Sequence, residues 1–362
     1  MNLKELIVEK IHRRGPIPFN EYMEMALYHP GLGYYTSGRE KFGRLGDYYT
    51  STVLSSLYGK MIARQVVEMW HHGGKGAFKV VEYGAGTGML CRDIMQALSN
   101  ETIFPHIQYY IIEKSESLRE KQQTVCPPGV QWISSITEIS GFTGCVLASE
   151  VLDNFAIHLV SMEESLQEIY VDYKNDFKEV LRPARPELIA YFAQQHIVLS
   201  KPYRTEINLE ALNWLQQIAE HMDSGYLITI DYGYLKGDYY STKRNLGTLA
   251  CYSRHQVTAD PYTDVGSKDI TAHVNFSALH EYGLQYGLET CGYSNQNYFM
   301  RSLGLAGYLR ELETEDLYSK EVMMQVNKLL FDMGDKFKVL IQSKGIPRLP
   351  LTGMMFSAPI NS

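Results

Sequence analysis

Cysteine is scarce in this chain and scattered along it. The 362 residues include five cysteines, an odd number, and no two of them form a C-x-x-C pair. A disulfide framework needs an even set of cysteines, and a zinc site needs closely spaced ligands. We therefore expect free thiols and no bound metal; the cysteines are Cys91, Cys126, Cys145, Cys251 and Cys291.

Long apolar runs and an excess of positive charge are also absent. No uninterrupted apolar stretch could span a bilayer, so we expect no membrane partner. The formal net charge is −7. Because affinity for nucleic acid rests on lysine and arginine side chains that neutralise phosphates, this charge argues against nucleic acid and is compatible with a basic protein substrate. Residues 1–7 have the pattern of an amphipathic helix, with acids that a transit peptide would lack, which predicts a cytoplasmic protein.

The most informative segment is residues 80–88, VVEYGAGTG. It predicts a short buried strand that runs into a glycine-rich turn and then a helix. Glycines permit positive φ angles and a close approach of the backbone to a ligand, and the helix N-terminus presents free N–H groups. A dinucleotide fingerprint, G-x-G-x-x-G, fails here because its third glycine would fall at Met89.

The pattern that does stand there is E-x-G-x-G-x-G, formed by Glu82, Gly84, Gly86 and Gly88. This is the form seen at the cofactor turn of class I methyltransferases that use S-adenosyl-L-methionine (SAM). SAM has a cationic sulfonium, an amino-acid tail and a ribose, which suit an acidic pocket lined by glycine. The alternative is an ordinary tight turn between a strand and a helix.

A second apolar run, residues 109–112, ends at Glu113. In a doubly wound sheet this strand lies beside the first one. An acid at its carboxyl end can accept hydrogen bonds from both ribose hydroxyls. We expect that role for Glu113, with an ordinary surface acid as the alternative.

The other apolar runs predict an α/β fold built on a Rossmann-like sheet. Strands are predicted near residues 78–83, 108–113, 130–134, 144–149, 225–233, 288–290 and 337–341. Together they would form a mostly parallel seven-stranded sheet of the class I methyltransferase type. Because ligands gather at the carboxyl ends of parallel strands, several acids should meet at one edge; these are Glu82, Glu113, Glu150, Asp153 and Asp231.

We divide the chain into three parts. Residues 1–70 form an N-terminal helical or lid segment, and residues 71–160 with 206–362 form the SAM-binding core. Residues 161–205 break the alternation of strand and helix and are predicted to be an inserted lobe, with strands at 168–173 and 196–199; a helix at 206–222 returns to the core. Residues 235–275 are largely non-periodic, and loops of that length usually carry function or disorder.

These residues together resemble the MidA family, whose mitochondrial members act as an assembly factor for respiratory complex I. The resemblance extends from about residue 18 to residue 345, in the blocks at 28–35, 46–50, 81–88, 113–115, 149–154, 230–233, 269–276 and 337–340. It implies a class I methyltransferase fold and SAM as the cofactor. For the mitochondrial relatives it implies dimethylation of a protein arginine. The lack of a transit-peptide pattern in residues 1–7 suggests a bacterial member, whose substrate need not match the mitochondrial one.

The chain departs from the family pattern at several positions. Ser149 stands where the family usually has Asn, and Thr87 where Arg is common. The family commonly continues the fourth-strand motif as Asp-Ala-Leu-Pro, whereas residues 153–156 read Asp-Asn-Phe-Ala. The cofactor scaffold is kept while the loop on the target side differs, so SAM binding is better founded than an arginine target.

Candidate catalytic residues follow from the chemistry of methyl transfer to a charged group. We expect Glu150 and Asp153 to hold the target group, since carboxylates can orient a guanidinium through paired hydrogen bonds. In the alternative, Asp153 caps a helix and Glu150 binds SAM or a backbone N–H. Asp231 ends the fifth strand, where substrate contacts are common in methyltransferases. His273 is a candidate general base, or a structural hydrogen-bonding residue.

Two further residues, Asp47 and Thr50, lie ahead of a predicted helix. Helix capping is one interpretation, and a lid that contacts the cofactor is the other.

Three functions remain open from the sequence. The first is a SAM-dependent methyltransferase that acts on a protein side chain, with arginine favoured. The second is a small-molecule methyltransferase, and the third is a SAM-binding assembly module with little catalysis. The sequence does not fix the oligomeric state, for which a homodimer is one option.

Overall fold

The computed structural model describes residues 1–38, 41, 56–253, 256–314 and 320–360. Asp47 and Thr50 lie outside the described residues. The strands are β1 Ile17–Pro18, β2 Phe78–Tyr83, β3 Ile107–Ile112, β4 Gln131–Ile133, β5 Phe142–Ser149, β6 His158–Met162, β7 Leu166–Tyr173, β8 Phe177–Pro183, β9 Tyr203–Ile207, β10 Met222–Tyr234, β11 Ala250–Ser253, β12 Gln256–Thr258, β13 Asp269–Thr271, β14 Val274–Asn275, β15 Glu289–Asn295 and β16 Phe337–Lys344.

The α-helices lie before, between and after these strands. They are α1 Leu3–Arg14, α2 Phe19–Tyr28, α3 Ser56–His72, α4 Met89–Leu98, α5 Glu116–Val125, α6 Pro186–Gln194, α7 Leu209–His221, α8 Lys236–Tyr239, α9 Phe276–Gln285, α10 Gln296–Ser302, α11 Leu305–Thr314 and α12 Lys320–Asn327. No helix among the described residues combines the length and the apolar character needed to cross a membrane.

The main sheet has the strand order β15-β16-β10-β5-β2-β3-β4, and β14 pairs with β10 beside this path. The pairs from β10 to β4 are parallel. The edge pairs β10–β16 and β15–β16 are antiparallel. The predicted α/β fold is confirmed, including the strands near residues 288–290 and 337–341. The carboxyl ends of β2, β3, β5 and β10 meet at one edge.

Alternating residues of the main sheet pack against helices on its two faces. Val80 of β2 contacts the core that includes α3 and α4, whereas the adjacent Val81 contacts the core that includes α7. This two-sided burial explains why the central strands are continuous apolar runs rather than alternating ones. The residues that follow its strands therefore extend from a sheet that is packed on both faces.

Two smaller sheets lie beside the main one. An antiparallel sheet has the order β1-β7-β6-β9, with β8 paired to β7. It shares an apolar core with α1 and α2. A three-stranded sheet, β12-β11-β13, comes from the segment 235–275, which the sequence pattern left without regular structure.

The predicted strand at residues 196–199 is wrong. The N–H groups of His196 and Ile197 donate to the carbonyls of Ala193 and Phe192, so the chain wraps the end of α6. Val198 is 96% exposed, which shows that an apolar residue type alone does not make a strand. The helix predicted at 206–222 is α7, and the residues just before it belong to β9.

Candidate active site

The turn after β2 requires glycine for two physical reasons. Gly84, Gly86 and Gly88 have φ angles of 59°, 53° and 82°, in the left-handed region that side chains disfavour. A Cβ at Gly84 would lie 3.0 Å from a Val151 methyl group, and one at Gly88 would lie 2.9 Å from the Cys126 sulfur. The turn is therefore narrow and is fixed by both conformation and space.

Glu82 lies at the base of this turn with only 3% of its surface exposed. The Tyr109 hydroxyl donates to Glu82 Oε2 over 2.7 Å. Burial raises the pKa of the Glu82 carboxyl to about 7, because the charged form loses hydration. The buried Glu82 carboxyl is therefore partly protonated near pH 7.

Glu113 follows β3 and is tied to the glycine turn through Gln122. Glu113 Oε1 accepts the Ser115 N–H at 2.9 Å, and Oε2 accepts from Gln122 Nε2 at 2.9 Å. The same Gln122 nitrogen donates to the Gly86 carbonyl at 3.0 Å. Burial raises the pKa of the Glu113 carboxyl. These contacts fix the carboxylate beside the turn, where a ribose would lie in the predicted arrangement.

A cavity of about 480 Å³ opens at this edge of the main sheet. That volume falls within the range of about 300–1,000 Å³ that is usual for small-molecule and cofactor pockets. The described lining includes six acidic side chains and one basic one, Lys114, so the cavity favours cationic ligands. The six acids are Glu82, Glu113, Glu150, Asp153, Glu210 and Asp269.

The lining falls into two parts. The glycine-turn half comprises Glu82, Gly84, Ala85, Gly86, Thr87, Glu113, Ser134 and Ser135. The acid–tyrosine half comprises Tyr28, Tyr35, Asp153, Asn154, Tyr232, Tyr252 and Asp269. Glu150 follows β5, which pairs with β2, and also lines the cavity.

Glu150 has an unusual backbone conformation. Its φ angle is 58°, which is uncommon for a residue other than glycine, and its N–H donates to the Ile230 carbonyl at 2.8 Å. Such strain persists only where surrounding structure holds it, and it is frequent at functional sites. This backbone conformation sets the point at which the chain leaves β5 and begins to line the cavity.

Asp231 holds the backbone of the residues that follow Glu150 through its side-chain carboxylate. Its Oδ2 accepts N–H groups from Val151, Leu152 and Asp153 at 3.2, 2.9 and 3.3 Å, and its Oδ1 accepts the Tyr232 N–H at 2.8 Å. Burial raises the pKa of Asp231 to about 7. Asp231 is fully buried and is not part of the described cavity lining. The geometry therefore suits a positioning residue rather than one that touches a substrate.

Asp153 lines the acid–tyrosine half and is 5% exposed. Its Oδ1 accepts no hydrogen bond within the part of the chain that the structure describes. Burial raises the pKa of Asp153 well above its ordinary range, and the nearby charges of Asp231, Asp269 and Glu150 raise it further. A buried carboxylate oxygen that has no donor, on a residue that lines a cavity, is suited to a ligand that donates hydrogen bonds.

Asp269, at the start of β13, is brought to the same half from a distant part of the chain. The Tyr35 hydroxyl donates to Asp269 Oδ1 at 2.9 Å, and Asn154 Nδ2 donates to the same oxygen at 3.0 Å. Tyr35 stacks on Tyr28, whose hydroxyl donates to the Asn154 carbonyl at 3.3 Å. The N-terminal segment thus forms one wall of the cavity.

His273 lies outside the cavity lining. Its ring stacks on Tyr232 and contacts Tyr234, with centroid distances of 6.0 and 5.1 Å. Burial, with a smaller contribution from Arg244, lowers its pKa to about 4, so the ring is neutral at pH 7. This placement argues against a general base, and Nδ1 has no hydrogen-bond partner among the described residues, so the structure shows aromatic packing rather than the structural hydrogen bond of the alternative.

The structure brings six of the predicted site residues to the cavity: Glu82, Gly84, Gly86, Glu113, Glu150 and Asp153. It does not bring Gly88, Asp231 or His273 into the described lining. Sequence reasoning missed Gln122, Asp269 and Tyr35 as site residues. The only sequence signal for the last two was their place within the resemblance blocks at residues 269–276 and 28–35.

Comparison with known proteins agrees with this geometry. The model of a family described as "Putative S-adenosyl-L-methionine-dependent methyltransferase" matches residues 61–294. A protein arginine methyltransferase NDUFAF7 homolog of Caenorhabditis elegans is 28% identical, covering 93% of this chain and 85% of its own. The Drosophila melanogaster homolog is 26% identical, covering 95% and 85%.

A solved structure extends the likeness to the whole fold. A Burkholderia thailandensis protein bound to S-adenosyl-homocysteine has a TM-score of 0.89 and 32% identity, covering 98% of this chain and 95% of its own. The chain belongs to this family of S-adenosyl-L-methionine-dependent methyltransferases, and the resemblance inferred from the sequence is confirmed.

The cofactor is therefore SAM, and the residues present fit it. The glycine turn is too narrow for a side chain at Gly84 or Gly88, and Glu113 is held beside it by Ser115 and Gln122. Glu113 would accept from the ribose hydroxyls, while the turn would pass close to the amino-acid tail. The acidic lining suits the cationic sulfonium.

Proposed function

We propose that this methyltransferase acts on a protein, and that the group it methylates is an arginine guanidinium. The main support for this proposal is the acid–tyrosine half, where Asp153 and Asp269 line the same cavity as several tyrosine rings and the glycine turn. A guanidinium is planar and always charged, pairs with carboxylates and stacks on aromatic rings. The names of the Caenorhabditis elegans and Drosophila melanogaster relatives support the same acceptor.

The proposed mechanism rests on positioning and on charge. When bound, SAM supplies an electrophilic methyl group on a cationic sulfur. Glu150 and Asp153 would orient the guanidinium so that one nitrogen points at that methyl group, and fixed geometry of this kind supplies a large part of a catalytic rate. Asp231 would act indirectly, by holding the backbone of residues 151–153 in place.

The test measures which chemical group receives the methyl. The purified chain is incubated with methyl-labelled SAM and heat-treated cell lysate, and the protein and small-molecule fractions are separated. Label in methylarginine after acid hydrolysis of the protein fraction is the expected result. Label in methyllysine or in small molecules would contradict the proposal, and a chain that binds SAM but labels neither fraction would favour the assembly-module alternative.

Matched variants connect the activity to the cavity. Glu150→Gln removes a charge from the lining, whereas Glu101→Gln makes the same change at an exposed position. We expect Glu150→Gln to lower the labelling rate by about 10-fold to 100-fold, because a charge-assisted contact is lost in the transition state. If both variants label at the same rate, Glu150 does not hold the target.

A further inference from the structure

Two aspartates in the acid–tyrosine half differ in the hydrogen bonds that their carboxylate oxygens accept. Asp269 Oδ1 accepts hydrogen bonds from two neutral donors, the Tyr35 hydroxyl and the Asn154 amide. Hydrogen bonds to a carboxylate favour its charged form. Asp153 Oδ1 accepts none from the described residues, although this atom is buried and Asp153 lines the cavity. One oxygen of Asp269 is therefore held by two donors, whereas Asp153 Oδ1 has none among the described residues.

We propose that Asp153 and Asp269 divide the work at this site: Asp153 Oδ1 accepts the proton that the target nitrogen loses, while Asp269 stays charged and holds the target cation. This assignment rests on the proposed methylation of a guanidinium and specifies its proton acceptor. Pairs of titratable groups with unlike surroundings are commonly divided between proton transfer and charge stabilisation. Asp269 carries a role that the sequence pattern did not reveal.

The proton must have an acceptor because a guanidinium keeps its protons at neutral pH. In the step, an N–H bond breaks and its proton passes to Asp153 Oδ1. The nitrogen electron pair forms the bond to the methyl carbon, and the methyl–sulfur electron pair remains on sulfur. Sulfonium, guanidinium and carboxylate become thioether, methylguanidinium and carboxylic acid, so the total charge of +1 is conserved.

The surroundings of Asp153 suit an acceptor. It faces Glu150 after β5, Asp231 and Tyr232 on β10, Tyr252 on β11 and Asp269 on β13. The acids among these groups raise its proton affinity, and burial acts in the same direction. Two bound cations, the sulfonium and the guanidinium, would favour its charged form before transfer. After transfer, one positive charge has been lost and the neutral acid is favoured again.

Backbone contacts hold Asp153 at a fixed place. Its N–H donates to Asp231 Oδ2 at 3.3 Å, and its carbonyl accepts the Ala272 N–H at 2.9 Å. The second contact joins it to the chain just after β13, on which Asp269 lies. The two aspartates are therefore fixed relative to each other by a short backbone link, as a shared target would require.

The first test does not depend on activity. Carboxyl carbons of aspartate are labelled with ¹³C, and the unliganded chain is titrated by NMR. The signal lost in Asp153→Asn should keep its proton to a higher pH than the signal lost in Asp269→Asn. The reverse order, or equal titration of the two, would overturn the assignment. Asp93→Asn, a buried aspartate on α4 outside the lining, is the control for a general effect of the substitution.

The second test separates the two roles kinetically. Asp153→Asn should lower kcat by about 100-fold to 10,000-fold, the usual contribution of a positioned base, with SAM affinity unchanged. Asp269→Asn should mainly raise KM for the protein acceptor. Equal kcat for Asp153→Asn and the wild type would overturn the inference while leaving methylarginine formation intact. Wild-type protein that makes no methylarginine would instead contradict the proposed function, whatever the order of titration.

Discussion

The glycine-turn half of the cavity comes mainly from the carboxyl ends of the neighbouring strands β2, β3 and β4, whereas the acid–tyrosine half comes from segments far apart in the chain. Glu82 and Gly86 are four residues apart. Tyr35 and Asp269, which share a hydrogen bond, are 234 residues apart. The first half depends on local sequence and sheet order, and the second also depends on the packing of the N-terminal segment and the smaller sheets.

Under the proposed function, this difference separates specificity for the cofactor from specificity for the methyl acceptor. The ends of parallel strands place a ligand in the same way throughout a doubly wound fold, so one cofactor can be kept while the acceptor changes. The acid–tyrosine half contains Asn154, which stands where the family commonly has alanine, and its side chain donates to Asp269. Under the proposed function, a change at residue 154 would alter acceptor choice while the glycine turn stays in place.

The largest expected effect on ligand affinity comes from blocking the glycine-turn half. Gly86→Arg places a side chain at a φ angle of 53° in a turn that lines the cavity. We expect SAM affinity to fall on the order of 100-fold or more, measured by titration calorimetry, because strain and occupied space act together. Gly76→Arg is the control, since a Cβ there meets no atom within 4 Å. Normal SAM binding by a folded Gly86→Arg chain would contradict the placement of the cofactor.

A pH-dependent stability is expected from Glu82 in the same half. Its pKa of about 7 lies above the ordinary 4.5, so the neutral form favours folding. The contribution is complete below pH 4.5, declines as pH rises toward 7 and is lost above it. The free energy of unfolding should lose on the order of 3 kcal/mol across this window, to be measured by urea denaturation.

Glu82→Gln isolates this contribution from other titrating groups. An amide keeps an oxygen that can accept from Tyr109 and has no charge to bury. The difference in unfolding free energy between variant and wild type should therefore change with pH in favour of the variant. A constant difference from pH 4.5 to pH 8 would show that Glu82 does not titrate in this range.

The sequence predicts the glycine-turn half well because its signals are local. Glu82 and the glycines are recognised by their spacing, and Glu113 by its position after an apolar run. Strand order alone then brings these residues together at one edge of the sheet. Gln122 was missed because it lies inside α5, where its contact with Gly86 depends on the packing of the helix.

The acid–tyrosine half was predicted only in part. Asp153 follows a core strand, as does the neighbouring Glu150, so strand order placed both at the correct edge. Asp269 begins β13, and the periodicity of residues 235–275 gave no indication of that sheet. Tyr35, which follows α2, reaches Asp269 where α1 and α2 share an apolar core with the antiparallel sheet. Contacts of this kind follow from tertiary packing and have no local signature.

The smallest expected effect tests that long-range contact. Tyr35→Phe removes the hydroxyl that donates to Asp269 Oδ1 and leaves the Asn154 amide as a donor to the same oxygen. Asp269 should remain in place but bind the acceptor less well, so KM for the protein acceptor should rise by about 2-fold to 5-fold with SAM affinity unchanged. Tyr298→Phe, at a tyrosine that is 46% exposed, is the matched control. If Tyr35→Phe lowers SAM affinity and acceptor affinity equally, the Tyr35 hydroxyl supports the glycine-turn half as well as the acid–tyrosine half. The two halves would then act as one unit.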